Sequence, residues 1–152
     1  MAISAQWPMW VVVMGGKSAD LYQREKRSAD LTSLQSLDNP VASSREQDRI
    51  SDRPGRSFDS RGAGRHAMEP RTSQKRVDEQ RFVRRVAKLV AAGHDAHEYA
   101  SLVVIAPPRL LGEIRTELPR ALHSVIVCEI AKDLTHALPS DINEKIDIEL
   151  MA

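Results

Sequence analysis

Ser101-Leu102-Val103-Val104-Ile105-Ala106-Pro107-Pro108-Arg109-Leu110-Leu111-Gly112-Glu113-Ile114-Arg115 is the stretch that decides the fold. Residues 101–106 show no polar alternation, as expected of a strand covered on both faces. Pro107-Pro108 ends it, and Arg109 to Leu118 places Leu110, Leu111, Ile114 and Leu118 along one side of a short helix closed by Pro119. Val125-Ile126-Val127-Cys128-Glu129-Ile130 follows as a second apolar strand. A strand, a helix and a strand in this order make a βαβ unit, so the two strands should be parallel.

Working back from this unit, Trp10-Val11-Val12-Val13-Met14 is a β-branched run of buried-strand character closed by Gly15-Gly16. Ser18 to Gln23 turns Ala19 and Leu21 inward. Asp30 to Leu37 carries Leu31, Leu34 and Leu37, a spacing that suits a strand or a helix. Asp38-Asn39-Pro40 marks a turn, since Asx side chains cap turns and the residue before proline avoids the α region. Lys75 to Ala92 reads as a helix: Phe82, Val83, Val86, Leu89 and Val90 share one face, Arg81, Arg84, Arg85 and Lys88 the other, and Gly93 follows as its stop. The tail after Asp133 stays open, with Ser140-Asp141 suited to cap a helix and Ile146, Ile148 and Leu150 alternating like a strand. The expectation is one α/β domain over residues 1–152: a mixed sheet with early antiparallel strands, a long Arg/Gly-rich loop at about 41–74, and a later parallel βαβ unit.

Composition limits the rest. The chain has 152 residues, 41% hydrophobic and 28% charged, with six aromatics, so the core is aliphatic. The apolar run around Trp10 falls far short of the ~20 residues that cross a bilayer. No Lys or Arg precedes it and Pro8 interrupts it, so it reads as a core strand rather than a secretion signal, and the chain as cytoplasmic. One cysteine excludes an internal disulfide and any zinc site built on two thiolates; Cys128 reads as a buried structural thiol.

Charge is segregated. Residues 44–85 hold 12 Arg or Lys against 7 Asp or Glu, while the remainder holds 10 against 14. A basic loop on an acidic body reads either as a grip for an anionic partner or as a solvated linker. Gly15-Gly16-Lys17-Ser18 lacks the loop length of a phosphate-binding P-loop and reads as a β-turn. His94 and His97 have no evident third ligand, and His123 and His136 are isolated, so no metal or cofactor is called for. No G-x-S-x-G elbow supports a serine hydrolase. Three stretches carry more: Ser51-Asp52-Arg53-Pro54-Gly55-Arg56 with Phe58-Asp59-Ser60 beyond it, Arg61-Gly62-Ala63-Gly64-Arg65-His66, and Ala106 to Arg115. In the second, glycines permit close backbone approach and guanidinium forks grip phosphate. In the third, Arg109 sits at the carboxyl end of a strand, where open α/β sheets place ligand crevices.

Together with Asp38-Asn39-Pro40 and Lys132-Asp133-Leu134-Thr135, these stretches resemble the bacterial host attachment protein family, over about Trp10 to Thr135. That family is similar to bacterial proteins related to the middle domain of archaeo-eukaryotic peptide chain release factors and of Pelota. The resemblance implies ribonuclease H-like topology and a long mobile loop, which in release factors carries the Gly-Gly-Gln that helps water attack peptidyl-tRNA. Here the loop corresponds to Arg61 through Ala67 and the following helix to Gln80 through Val90. Gly64-Arg65-His66 stands where Gly-Gly-Gln would be, which leaves His66 as the one candidate catalytic residue. An acidic residue is expected near Gly15, where Met14-Gly15-Gly16-Lys17 stands instead. The implied function is a release-factor-like domain that binds ribosome or tRNA, in translation rescue or regulation. Its footprint would be Arg53, Arg56, Arg61, Gly62, Gly64, Arg65, Arg81, Arg84, Arg85 and Arg109. The alternatives are a peptidyl-tRNA ester hydrolase and an indirect factor for attachment to host cells. Neither a membrane nor DNA is expected as partner.

Overall fold

A computed structural model describes residues 4–39, the backbone of 62–73 and all of 74–152. Five strands form one mixed sheet: β1 (Met9–Met14), β2 (Ser18–Arg24), β3 (Thr32–Asp38), β4 (Ser101–Ala106) and β5 (Ile126–Ala131). Their order across the sheet is β3-β2-β1-β4-β5. The β1–β2 and β2–β3 pairs are antiparallel, whereas β1–β4 and β4–β5 are parallel, as the βαβ reading requires. Asp30 to Leu37, open between strand and helix in the sequence, forms β3.

Every residue of β1 and β4 is buried because helices cover both faces of these central strands. On one face lie α1 (Gly62–Asp95), α2 (Pro108–Glu117) and the single turn α3 (Arg120–His123). Trp10, Val12, Met14, Leu102 and Val104 pack there against Phe82, Val86, Val90, Leu110 and Ile114. On the other face α4 (Pro139–Met151) sets Ile142 and Ile146 against Met9, Val11, Val13, Val103 and Ile105. Each such aliphatic side chain contributes about 1.5–3 kcal/mol of burial. The open tail is thereby settled as a helix: Ile142 and Ile146, one turn apart, are buried, whereas Ile148, which a strand would place on their face, is exposed.

The two edge strands each carry one extra residue. Leu21 pairs with Gln35 and Tyr22 with Ser33, which skips Leu34; Leu102 pairs with Ile126 and Val103 with Cys128, which skips Val127. Each bulge flips the alternation that follows. Leu37 therefore joins one core and Leu31 the other, and Ile126 and Ile130 part in the same way. Bulges also spoil the edges as templates for another strand.

Two expectations need correction. The loop expected to run to about residue 74 ends by Gly62, where α1 begins, so Gly62, Gly64, Arg65 and His66 lie on helical backbone. The sequence reading followed an apolar stripe, and residues 62–77 have none; Gly62, Gly64 and Pro70 also argue against a helix interior, so nothing local announces this part of α1. Gly93, expected to stop the helix, lies inside it. A Cβ there would come within 2.3 Å of the Trp10 ring, so the glycine is where helix and indole cross. The helix ends on His97, which adopts a left-handed φ of 58°. Glu98 N–H donates to Gly93 O (2.9 Å) and His97 N–H to His94 O (3.0 Å), the paired bonds of a Schellman cap.

Candidate functional site

Four of the stretches singled out in the sequence meet beyond the carboxyl ends of β1, β4 and β5. The Gly15-Gly16 turn joins β1 to β2, closed by Gly15 N–H donating to Ser18 O (2.8 Å). Asn39, buried at the end of β3, clasps this turn: its amide donates to Lys17 O (2.8 Å) and its side-chain Nδ2 to Gly16 O (3.3 Å). From beyond β5, Thr135 and Asp133 close the other side, and a Cβ on Gly15 would lie 3.1 Å from Thr135 Cγ2 and 3.6 Å from Asp133 Oδ1. From α1, Glu79 reaches the turn, with Oε2 3.4 Å from where a Gly16 Cβ would be. Gly15 and Gly16 are thus the small residues that let carboxylates approach from both sides.

Arg109 starts α2 just after Pro108 and grips Glu79 with both nitrogens: Nη1 lies 2.7 Å from Oε1 and Nη2 donates to Oε2 (3.0 Å). Glu79 is only 7% exposed, and a carboxylate so buried needs this counter-charge, with Oε2 the oxygen that accepts the hydrogen bond. Hydrogen bonding to Glu79 raises the Arg109 pKa, burial opposing it, so the guanidinium stays charged. Glu113, one turn along α2, lies 3.4 Å from Arg109 Nη1. At Asp133, the Thr135 hydroxyl (2.6 Å) and amide (3.1 Å) both donate to Oδ1 and hold the carboxyl below its usual range. Among the described residues no three His, Cys, Asp or Glu side chains gather as metal ligands would.

The second feature is the outer face of α1. Arg81, Arg84, Arg85 and Lys88 are all exposed, at the spacing of one helical surface. Arg84 Nε meets Glu117 Oε1 at 3.4 Å, and Arg85 Nη1 donates to Asp38 O at 3.4 Å; both bonds are long. The structure thus brings Arg81, Arg84 and Arg85 together on one helix and sets Arg109 apart, in the crevice beside it. Arg53, Arg56 and Arg61 lie outside the described residues, as do the side chains of Arg65 and His66. Cys128 is half-buried, and its thiol is pushed up to about 11 by burial, then by Glu149 and Glu129. It is a packing residue, not a nucleophile.

Sequence reasoning missed Asp78 and Glu79. Both are buried, and they continue the stripe of Phe82, Val83 and Val86 one turn back. Carboxylates at apolar-face positions were the available signal. Asp78 accepts from Gln74 Nε2 (3.2 Å).

A protein of Rickettsia prowazekii (strain Madrid E), itself uncharacterized, is similar to this chain: 38% identical over 69 residues, or 44% of this chain and 46% of that protein. The match therefore spans less than half the length of either. No helix among the described residues is long and apolar enough to cross a membrane. The family described as "Protein required for attachment to host cells" matches residues 10–146, from the first strand into the last helix, and the chain belongs to that family.

Proposed function

We propose that this domain binds structured RNA, in the form of ribosome or tRNA, from the cytoplasm, and that any effect on host attachment follows indirectly from a role in translation. The observation that carries the reading is the outer face of α1, where four cations of one sign lie along consecutive turns and only Arg84 meets a carboxylate among the described residues. Guanidinium groups on a rigid helix are suited to phosphate, which they grip bidentately. The strand order β3-β2-β1-β4-β5, with the first three antiparallel, is consistent with the ribonuclease H-like topology that the release-factor resemblance implies. The segment that precedes α1 in the sequence carries further arginines, Arg53, Arg56 and Arg61.

Co-sedimentation with ribosomes and with bulk tRNA over a salt series tests this. Four phosphate contacts give a log–log slope of about −3. The triple variant Arg81→Ala, Arg84→Ala, Arg85→Ala should flatten that slope to about −1. No binding at low salt, or an unchanged slope in the variant, defeats the reading.

A further inference from the structure

A groove of about 300 Å³ lies between α1 and α2, on the side of the helical layer away from the sheet. Val83 and Gly112 line its floor, Gln80, Glu113 and Thr116 its walls, and the Arg109–Glu79 and Arg84–Glu117 ion pairs close its two ends. Gly112 is the unexplained residue. It sits in the interior of a helix, where glycine is about 1 kcal/mol worse than alanine, and a Cβ added there would meet nothing within 4 Å. Packing does not ask for it, and no turn or positive φ does. Its effect is to keep the groove open, since any larger side chain would occupy it.

We infer that this groove takes a single unpaired purine base of the RNA whose phosphates lie on the α1 arginines. The inference rests on the RNA reading above. The volume is at the small end of ligand sites and suits one nucleoside. Val83 is fully buried beneath the groove, so a ring seated there is held by its polar edge rather than on an apolar face. Gln80 is exposed, with a free amide that can both donate and accept, the side chain that pairs with the N6/N7 edge of adenine. The Thr116 hydroxyl donates to Gly112 O (3.0 Å), which leaves its oxygen as an acceptor. Glu113 adds a second acceptor and Arg109 a donor, so the lining can pair with an amino group and a ring-nitrogen acceptor, and the Gln80 amide directs it to the N6/N7 edge that purines carry and pyrimidines lack. Arg84, one turn along α1 from Gln80, stands where the phosphate of the same nucleotide would emerge.

The test compares adenosine, guanosine, cytidine and uridine 5′-monophosphates by titration calorimetry, and oligoadenylate against a polyphosphate chain that lacks bases. Purine monophosphates should bind about tenfold more tightly than pyrimidine ones. Gly112→Leu should remove that preference, and Gln80→Ala should weaken it, while both variants keep the wild-type slope with salt on polyphosphate. Thermal unfolding checks that both remain folded. Equal affinity for all four nucleotides, or wild-type preference in Gly112→Leu, overturns the base site while leaving the RNA reading standing. Loss of oligoadenylate and polyphosphate binding alike, in the wild-type protein, overturns both.

Discussion

At the scale of single residues, two helical glycines make opposite predictions. Gly93 faces the Trp10 indole, which is itself stacked on Tyr99 with centroids 4.6 Å apart and tied by Nε1 to Gln23 Oε1 (3.0 Å). Gly93→Ala should therefore lower stability by about 2 kcal/mol in urea unfolding, because overpacking outweighs the gain in helix propensity. Gly112→Ala meets no neighbour and should raise stability by about 0.5–1 kcal/mol. His97 holds a left-handed φ without being glycine, so His97→Gly should gain about 1 kcal/mol. Cys128, with its thiol pushed up to about 11, should alkylate about a hundredfold more slowly near neutral pH than a free cysteine of pKa 9. An iodoacetamide rate equal to that of a model peptide would contradict the burial assigned to β5.

At the scale of elements, α4 depends on one buried cation. Arg24 of β2 is 1% exposed and reaches Asp147 through Nη2 (2.8 Å), while its guanidinium lies 5.4 Å from the Trp7 ring. Asp147→Ala leaves that charge buried without its counter-ion. The expected loss is about 2 kcal/mol, less than a fully enclosed pair would show because Asp147 is half-exposed. Hydrogen exchange should report it first in α4. How far each element was legible follows from what defines it. β1, β4 and α2 are set by local apolar runs and proline stops, which the sequence displays. The bulges at Leu34 and Val127 depend on a neighbouring strand, and no local pattern announces them. The start of α1 rests on residues without an apolar stripe, so periodicity was silent. Arg109 was placed correctly at the end of β4 by Pro107-Pro108, yet its partner Glu79 was hidden thirty positions away in a segment read as basic.

At the scale of the whole molecule, charge and pH act on the carboxyl ends of the strands. Asp133 is held below its ordinary range by Thr135, so it adds stability above the usual carboxyl pKa near 4, and that stability fades as pH falls through the depressed value. Thr135→Val should lower stability at neutral pH, and the gap to wild type should close in acid, once the pH has fallen below the depressed Asp133 value. An acid titration of both proteins by circular dichroism checks the sign; a gap that persists in acid would mean the loss is packing.

The central pairing has a consequence for how the chain is made. β1 is buried between β2 and β4, yet Met9 is joined to Ser101 and Val13 to Ile105, across most of the sequence. A nascent chain can therefore zip the β1–β2–β3 meander early, but it keeps the open flank of β1 bare until β4 has been synthesised. Such non-local closure delays folding, and during that interval the most apolar strand of the protein is the one that stands undefended.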